Sequence, residues 1–416
     1  MNLPSIEGAL KAKGRLDGIA LVTPFQYLER YSKAFNAQVY TKREDLQQVR
    51  SFKIRGAYNK IVALSAEEQK KGIVCASAGN HAQGFAYSCQ VLNLQGIVFM
   101  PVPTPKQKIE QVRMFGGNSV EVRLVGDTYD DAYTAALHFQ QQNNVTFIHP
   151  FDDVDVIEGQ ATIGLEILDQ VQQQSLDYLF VPVGGGGLIS GILTVFKSRS
   201  PHTKIIGVEP EGAPSLQTSL RHKHNTRLPK IDKFVDGAAV QRVGDICFNV
   251  CKNELDDCLS IPEGKICQEI LALYNKEGIV AEPAGAIALA ALEAYADKIE
   301  GKRVGTLLCG GNNDITRTQE IKERALLYAQ LKHYFIVRFP QRAGALKKFV
   351  TEILGPNDDI TFFEYSKKNS RENAPAVVGI QLKSANDFQP LVERMKRQGF
   401  YGDYLNEKPD LFQYLV

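Results

Sequence analysis

Six short apolar stretches constrain this chain more than any other feature. They are GIVCASAGN from residue 72, GIVFMPVPTP from 96, VTFIHPF from 145, DYLFVPVGGGG from 177, KIIGVEP from 204 and RVGTLLCGGN from 303. Each runs out at glycine or proline. None alternates apolar with polar residues, as a strand with one wet face would. Unbroken apolar runs belong to strands buried on both faces, as in a parallel sheet. Between them lie segments with helical period, such as GQATIGLEILDQV and GAIALAALEAY. Strand, loop and helix in repeated order predict an α/β fold. In such sheets ligands bind beyond the carboxyl ends of the strands, so the loops closing these runs are the places to look for chemistry.

The texture changes after about residue 320. KERALLYAQLKH, residues 322–333, reads as a helix leading out. YFIVRFP then reads as an alternating strand, GALKKFVTEIL as a helix stopped by Gly355 and Pro356, ITFFEYSKK and AVVGIQLKS as strands, and NDFQPLVERMKRQGF as a helix before a last strand. That βαββαβ order describes a small ferredoxin-like module. The boundary is expected near residue 330, giving domains over 1–330 and 331–416, with about 50–150 forming most of a smaller subdomain of the first.

A chain of 416 residues suits two or three domains. Its 48 basic and 47 acidic residues leave a net charge of +1, which offers nucleic acid no basic field. No stretch of about 18 apolar residues is present to span a membrane. The first residues carry no apolar signal-like core, so a cytoplasmic chain with reduced cysteines is expected. The seven cysteines form no CxxC pair, so no zinc site is expected. His222 and His224 lie in the polar stretch RHKHNTRLPK, which reads as a surface loop.

Three loops and one helix start can carry chemistry. VPVGGGGLISG, residues 181–191, follows a buried strand and opens a helix. It reads as a phosphate or carboxylate site built from backbone amides, or as a flexible turn. It lacks the GK[ST] of a nucleotide-binding loop, and Ser190 stands where a dinucleotide fingerprint needs glycine. SAGNHAQG, residues 77–84, offers amides, a hydroxyl and Asn80, or simply caps a helix through Ser77 or Asn80. Cys309, in CGGNND, reads alone as a small buried hydrophobe. SFKIRGAYNK, residues 51–60, reads as a helix start with Ser51 as N-cap. There Lys53 is either solvated or held for chemistry. Together, a lysine, an anion-binding loop and an asparagine loop would suit a phosphorylated aldehyde cofactor, which needs an amine, a phosphate site and partners for its ring.

These stretches together resemble the fold-type II pyridoxal phosphate enzymes, the tryptophan synthase β-like fold of two α/β subdomains. Among them the likeness is to biosynthetic threonine dehydratases (threonine ammonia-lyases), and it runs from TPFQYLERYS to the C-terminal module. The resemblance implies pyridoxal 5'-phosphate as cofactor. Lys53 would bind it covalently, Phe52 would pack beside its ring, and Asn80 would hydrogen-bond its 3-hydroxyl. Gly184, Gly185, Gly186, Gly187 and Leu188 would hold the phosphate. Cys309 falls at the partner position of the pyridine nitrogen. Gly237, in FVDGAAV, and Glu282, in AEPAG, match segments lining the cofactor cleft. Ser77, Ala78, Gly79, Asn80 and His81 would bind the substrate carboxylate. Racemases of this fold carry a serine where this chain has Ala78, so racemisation is disfavoured. VEPEGAPS resembles a monovalent or divalent cation site, with Glu209 and Ala213 as ligands, although Ser215 replaces a carboxylate there.

The implied reaction is β-elimination and deamination of L-threonine to 2-oxobutanoate and ammonia, the first step of isoleucine biosynthesis, with L-serine as a further substrate. Alternatives are an L-serine or hydroxyaspartate dehydratase of the same fold, or a non-catalytic amino-acid sensor. The C-terminal module resembles the ACT-like regulatory domain of these enzymes. FPQRAGALKKF matches its first strand, turn and helix, with Ala343 where proline is usual and Gly344 retained. It implies isoleucine, and valine opposing it, as effectors, and a homo-oligomer, tetramer or dimer.

Overall fold

The structure is a computed structural model that describes residues 2–171, 174–365 and 373–408. It divides into two compact units, Met1–Asp314 and Ile315–Val416.

In the first unit all six apolar stretches become strands. Ile73–Ala76, Gly96–Met100 and Thr146–Phe147 join Val120–Leu124 in a four-stranded sheet, and every pair in it is parallel. This sheet falls inside the span expected for the smaller subdomain. Tyr178–Pro182, Lys204–Pro210 and Arg303–Leu308 form the middle of a six-stranded sheet, with Asp257–Ile261 at one edge and Gln38–Arg43 then Phe25–Tyr27 at the other. Only the Phe25–Tyr27 strand runs antiparallel. Ile73, Val74, Cys75 and Ala76 are all buried, as two covered faces require. No helix among the described residues is long and apolar enough to cross a membrane.

Two helices beside the sheets set the position of Lys53. The helix Lys53–Ala63 packs on Val154–Val171, with Gly159 against its backbone; a Cβ at Gly159 would lie 2.6 Å from the Arg55 carbonyl oxygen. The same helix is held by a buried charge network. The Arg55 guanidinium pairs with Glu44 at 2.8 Å and Glu166 at 2.5 Å, and the Lys42 ammonium pairs with Glu166 at 2.6 Å. Two cations face two carboxylates, and each is almost wholly buried. Buried charges are tolerated only when paired in this way.

The helix Lys53–Ala63 does not start on Ser51 as its sequence suggests. Ser51 pairs with Gly310 as an antiparallel bridge, and Phe52 takes the cap position. The amide of Phe52 donates to the Cys309 carbonyl at 3.2 Å, and that of Gly311 donates to the Arg50 carbonyl at 2.9 Å. Backbone pairing therefore claims Ser51 before capping can. The consequence is that Lys53 is stitched to the Cys309 loop.

The second unit is a four-stranded antiparallel sheet, in the order Asp359–Tyr365, Asn373–Gln381, Lys332–Pro340, Tyr401–Tyr404. With the helices Ala345–Glu352 and Phe388–Arg397 this is the βαββαβ ferredoxin-like arrangement. Phe335, Phe349, Val378, Leu391 and Met395 are fully buried in its core. Gly344 sits at φ +85°, a left-handed turn that glycine adopts freely before the first helix. Part of the ITFFEYSKK stretch lies outside the described residues.

Two sequence expectations shift here. The outgoing helix runs Thr318–Tyr328 and stops short of residue 333, because Gln330 turns left-handed at φ 56° and Lys332 and His333 enter the strand. The units divide between Asp314 and Ile315, ahead of residue 330. That helix belongs with the second unit, where Glu323 accepts from the Tyr334 hydroxyl at 2.7 Å and faces the Lys332 ammonium at 3.5 Å.

Candidate active site

One pocket is lined by Phe52, Lys53, Phe151, Gly237, Ala238 and Cys309, together with Pro182, Ala284 and the loop of residues 184–188. It thus gathers nine of the residues singled out from sequence, drawn from four separate segments: Phe52, Lys53, Gly184, Gly185, Gly186, Gly187, Leu188, Gly237 and Cys309. Lys53 keeps part of its surface open while its amine is enclosed by protein. Burial lowers its pKa to about 8, partly offset by Cys309, Cys247 and Glu282 nearby. The Lys53 Nζ donates to the Pro150 carbonyl at 2.9 Å and lies 5.4 Å from the Phe52 ring centre.

The glycine loop leaves no space for side chains. A Cβ at Gly184 would stand 3.0 Å from Ala238, one at Gly187 2.9 Å from the Phe151 carbonyl oxygen, and one at Gly185 would enter the Phe151 ring. Gly186 has φ +93°, which also favours glycine. The amides of residues 184–188 donate to no acceptor among the described residues, and they open the helix Gly187–Arg199. Unpaired amides at a helix start attract an anion.

Asn80 and Glu282 stand beside this pocket. The Asn80 Nδ2 donates to Glu282 Oε1 at 2.7 Å. Burial, with Asp236 second, raises the Glu282 carboxyl to about 7, against the Asn80 hydrogen bond. Gly310 passes under that carboxylate so closely that a Cβ would collide with it. Cys309 is buried, its thiol donates to the Ala284 carbonyl at 3.4 Å, and burial pushes its pKa well up, so it stays neutral.

In the SAGNHAQG turn, the Ser77 amide donates to Phe99 O at 3.1 Å and the Gly79 amide to Ser77 Oγ at 3.2 Å. The amides of Ala78, Asn80 and His81 have no acceptor among the described residues and remain for a ligand. Gly79, rather than Ser77 or Asn80, takes the cap position of the helix Asn80–Leu92. The His81 side chain packs inward, its Nε2 against the Ile148 carbonyl at 3.0 Å, and burial lowers its pKa to about 3. Its ring is therefore neutral, and its Nδ1 is buried with no partner among the described residues. Gly84 lets this helix press on Lys53, since a Cβ there would be 3.0 Å from the Lys53 carbonyl.

The proposed cation ligands lie elsewhere and are already engaged. Glu209 accepts from the amides of Leu216 at 2.7 Å and Gln217 at 2.8 Å, capping the helix Ser215–His222, and the Ala213 carbonyl accepts from the Ser215 amide at 3.0 Å. Among the described residues no group of three or more His, Cys, Asp or Glu side chains could hold a metal.

Sequence reasoning missed Pro150 and Phe151 as site residues, although they close one of the six apolar runs. It also passed over Ala238, Ala284 and Asn312, which lie inside the quoted stretches FVDGAAV, AEPAG and CGGNND.

An enclosed amine with its pKa lowered to about 8, free amides in a side-chain-free loop and a neutral thiol fit a phosphorylated aldehyde cofactor. The comparisons agree. The family model described as "Pyridoxal-phosphate dependent enzyme" matches residues 17–310, and "C-terminal regulatory domain of Threonine dehydratase" matches residues 323–415. The chain belongs to the pyridoxal-phosphate dependent enzymes. It is 51% identical over 411 residues to "L-threonine dehydratase biosynthetic IlvA" of Halalkalibacterium halodurans, covering 99% of each chain. It is 51% identical over 415 residues to the Bacillus subtilis protein of that name, covering 100% of this chain and 98% of that one. Among solved structures, it resembles the processed threonine deaminase isoform 2 of Solanum lycopersicum with TM-score 0.74 and 39% identity, over 78% of this chain and 91% of that one. Maize serine racemase is similar at TM-score 0.72 and 28% identity, over 79% and 99%. Within its class, the chain is a member of the biosynthetic threonine dehydratase family.

Proposed function

We propose that this protein converts L-threonine to 2-oxobutanoate and ammonia with pyridoxal phosphate, opening isoleucine biosynthesis. The observation that carries this reading is one pocket joining the enclosed Lys53 amine to the unpaired amides of residues 184–188. In this reading those amides and the helix start hold the phosphate, Phe52 packs beside the ring and Asn80 donates to the ring's 3-oxygen. Bound pyridoxal phosphate supplies an electron sink for negative charge at the substrate Cα. The amides of Ala78, Asn80 and His81 hold the substrate carboxylate. Lys53, easily neutral because it is buried, takes the Cα proton. Cys309, a neutral thiol, holds no charge on the ring nitrogen as a carboxylate would. The sink is correspondingly weaker, which favours prompt loss of the β-hydroxyl over side reactions. Ala78 offers no proton to the opposite face of Cα, which favours elimination over racemisation.

Finer points belong to the same proposal. Isoleucine inhibits at the C-terminal unit and valine opposes it, through a coupling between two sites that each ligand biases. The enzyme is a homo-oligomer, and L-serine is a second substrate. A cytoplasmic setting suits seven free, buried cysteines. The test is 2-oxo-acid release from threonine and from serine, each with and without isoleucine. Threonine turnover curbed by isoleucine supports the reading; serine-only or isoleucine-blind turnover contradicts it.

A further inference from the structure

The Asn80 side chain has two ends of opposite character, and a ligand oxygen can use only the nitrogen end. Its neighbours decide which end faces where. The Asn80 Oδ1 accepts from Asn312 Nδ2 at 2.8 Å, while its Nδ2 donates to Glu282 Oε1 at 2.7 Å. Asn312 is itself fixed. Its Nδ2 also donates to the Val49 carbonyl at 2.9 Å, and its backbone amide donates to the Glu282 carboxyl. Reversing the Asn312 amide would set its oxygen against both the Val49 carbonyl and Asn80 Oδ1. The Asn312 Oδ1 is buried with no donor among the described residues, a cost that the two donated bonds offset.

Val49 is fully buried, and the backbone just beyond it pairs with residues 309–311. Asn312 therefore joins three segments: the arm before Lys53, the Asn80 turn and the Glu282 segment. With Oδ1 tied to Asn312, Asn80 can present only its remaining Nδ2 hydrogen. That is a donor, as an anionic ring oxygen requires.

We propose that Asn312 is a positioning residue that orients the Asn80 amide nitrogen-outward for the cofactor's ring oxygen, an inference that rests on the role proposed above for Asn80. The ring Asn80–Glu282–Asn312 closes on itself, so the orientation does not depend on the cofactor being bound. A residue that acts only through Asn80 has no effect once Asn80 is gone, which makes a double-mutant cycle decisive.

The experiment measures cofactor dissociation constants and the balance of the cofactor's two absorption bands for Asn312→Ala, Asn80→Ala and the double variant. Asn312→Ala should weaken cofactor binding by roughly tenfold and shift the bands in the same direction as Asn80→Ala. In the Asn80→Ala background it should change neither. Asn312→Ser, which keeps one donor, should recover part of the loss. Unchanged affinity in Asn312→Ala beside altered affinity in Asn80→Ala overturns this inference alone. Equal losses in both backgrounds overturn it too, because Asn312 would then act through Val49. An unchanged Asn80→Ala overturns the Asn80 role and this inference with it. If Asn312→Ala does not fold, Asn312→Ser enters the same cycle; failure of both to fold makes the residue structural and also overturns the proposal.

Discussion

The Lys53 Nζ donates to the Pro150 carbonyl at 2.9 Å, inside a pocket whose burial lowers the ammonium to about 8. The residue on the other side of that hydrogen bond adjoins Phe151, which packs against Gly185 and Gly187. The amine and the glycine loop of residues 184–188 are thus positioned by one short segment, residues 150–151.

The lowered Lys53 pKa has a pH consequence. A buried amine penalised as a cation loses its proton more readily than free lysine, so the neutral, nucleophilic form grows as pH rises through about 8. Cofactor uptake by cofactor-free protein should accelerate across that range and level off above it. Stopped-flow absorbance at a series of pH values checks this. A rate that climbs only near the ordinary lysine pKa would contradict the burial argument.

Gly185→Ala should damage the glycine loop, because its Cβ would enter the Phe151 ring. Overpacking of this kind costs about 1–3 kcal/mol. Weaker cofactor affinity and a lower unfolding temperature are expected, read by titration and thermal melts. Wild-type values for both would show that the ring moves aside freely.

Arg55→Ala should leave Glu44 and Glu166 without their guanidinium partner. Breaking a buried pair costs about 3–5 kcal/mol, seen as a lower denaturant midpoint. The pairing also sets an acid limit. Despite opposing burial, Arg55 holds the Glu44 pKa below its ordinary value. Its stabilisation is therefore present above the ordinary carboxylate range and lost as pH falls through the lowered value. In Arg55→Ala the acid-unfolding midpoint should move to higher pH.

Ala78→Ser should raise serine racemisation relative to elimination, since it places a hydroxyl beside the proposed substrate site on the SAGNHAQG turn. Chiral analysis of serine recovered from the reaction checks this, and an unchanged ratio of enantiomers would count against the assignment of Ala78.

The parallel strands were legible because burial on both faces leaves an unbroken apolar run, and all six such runs are strands. Gln38–Arg43 was not, because QVYTKR carries Lys42, a cation whose burial depends on Glu166 far along the chain. Val120–Leu124 and Asp257–Ile261 lie at sheet edges, where one side is freer and the apolar signal thins. Of the candidate site, Lys53, the glycines and Asn80 stood out because the expected chemistry demands those residue types, and one pocket gathers Lys53 and the glycines with Asn80 beside it. Asn312 was not, because the way its amide faces depends on Val49, Asn80 and Glu282 meeting in space. Ser51 was misread for the same reason, since its partner Gly310 is remote in sequence.

In the proposed reaction Lys53 acts on threonine within this pocket. The most direct measurement compares purified, cofactor-supplied protein with Lys53→Ala, following 2-oxobutanoate and ammonia from L-threonine. Equal amounts of the two products are expected from the wild-type chain and a loss of at least roughly a hundredfold in Lys53→Ala, together with loss of the covalent cofactor's visible absorption. Undiminished product from Lys53→Ala, or none from the wild-type chain, would contradict it.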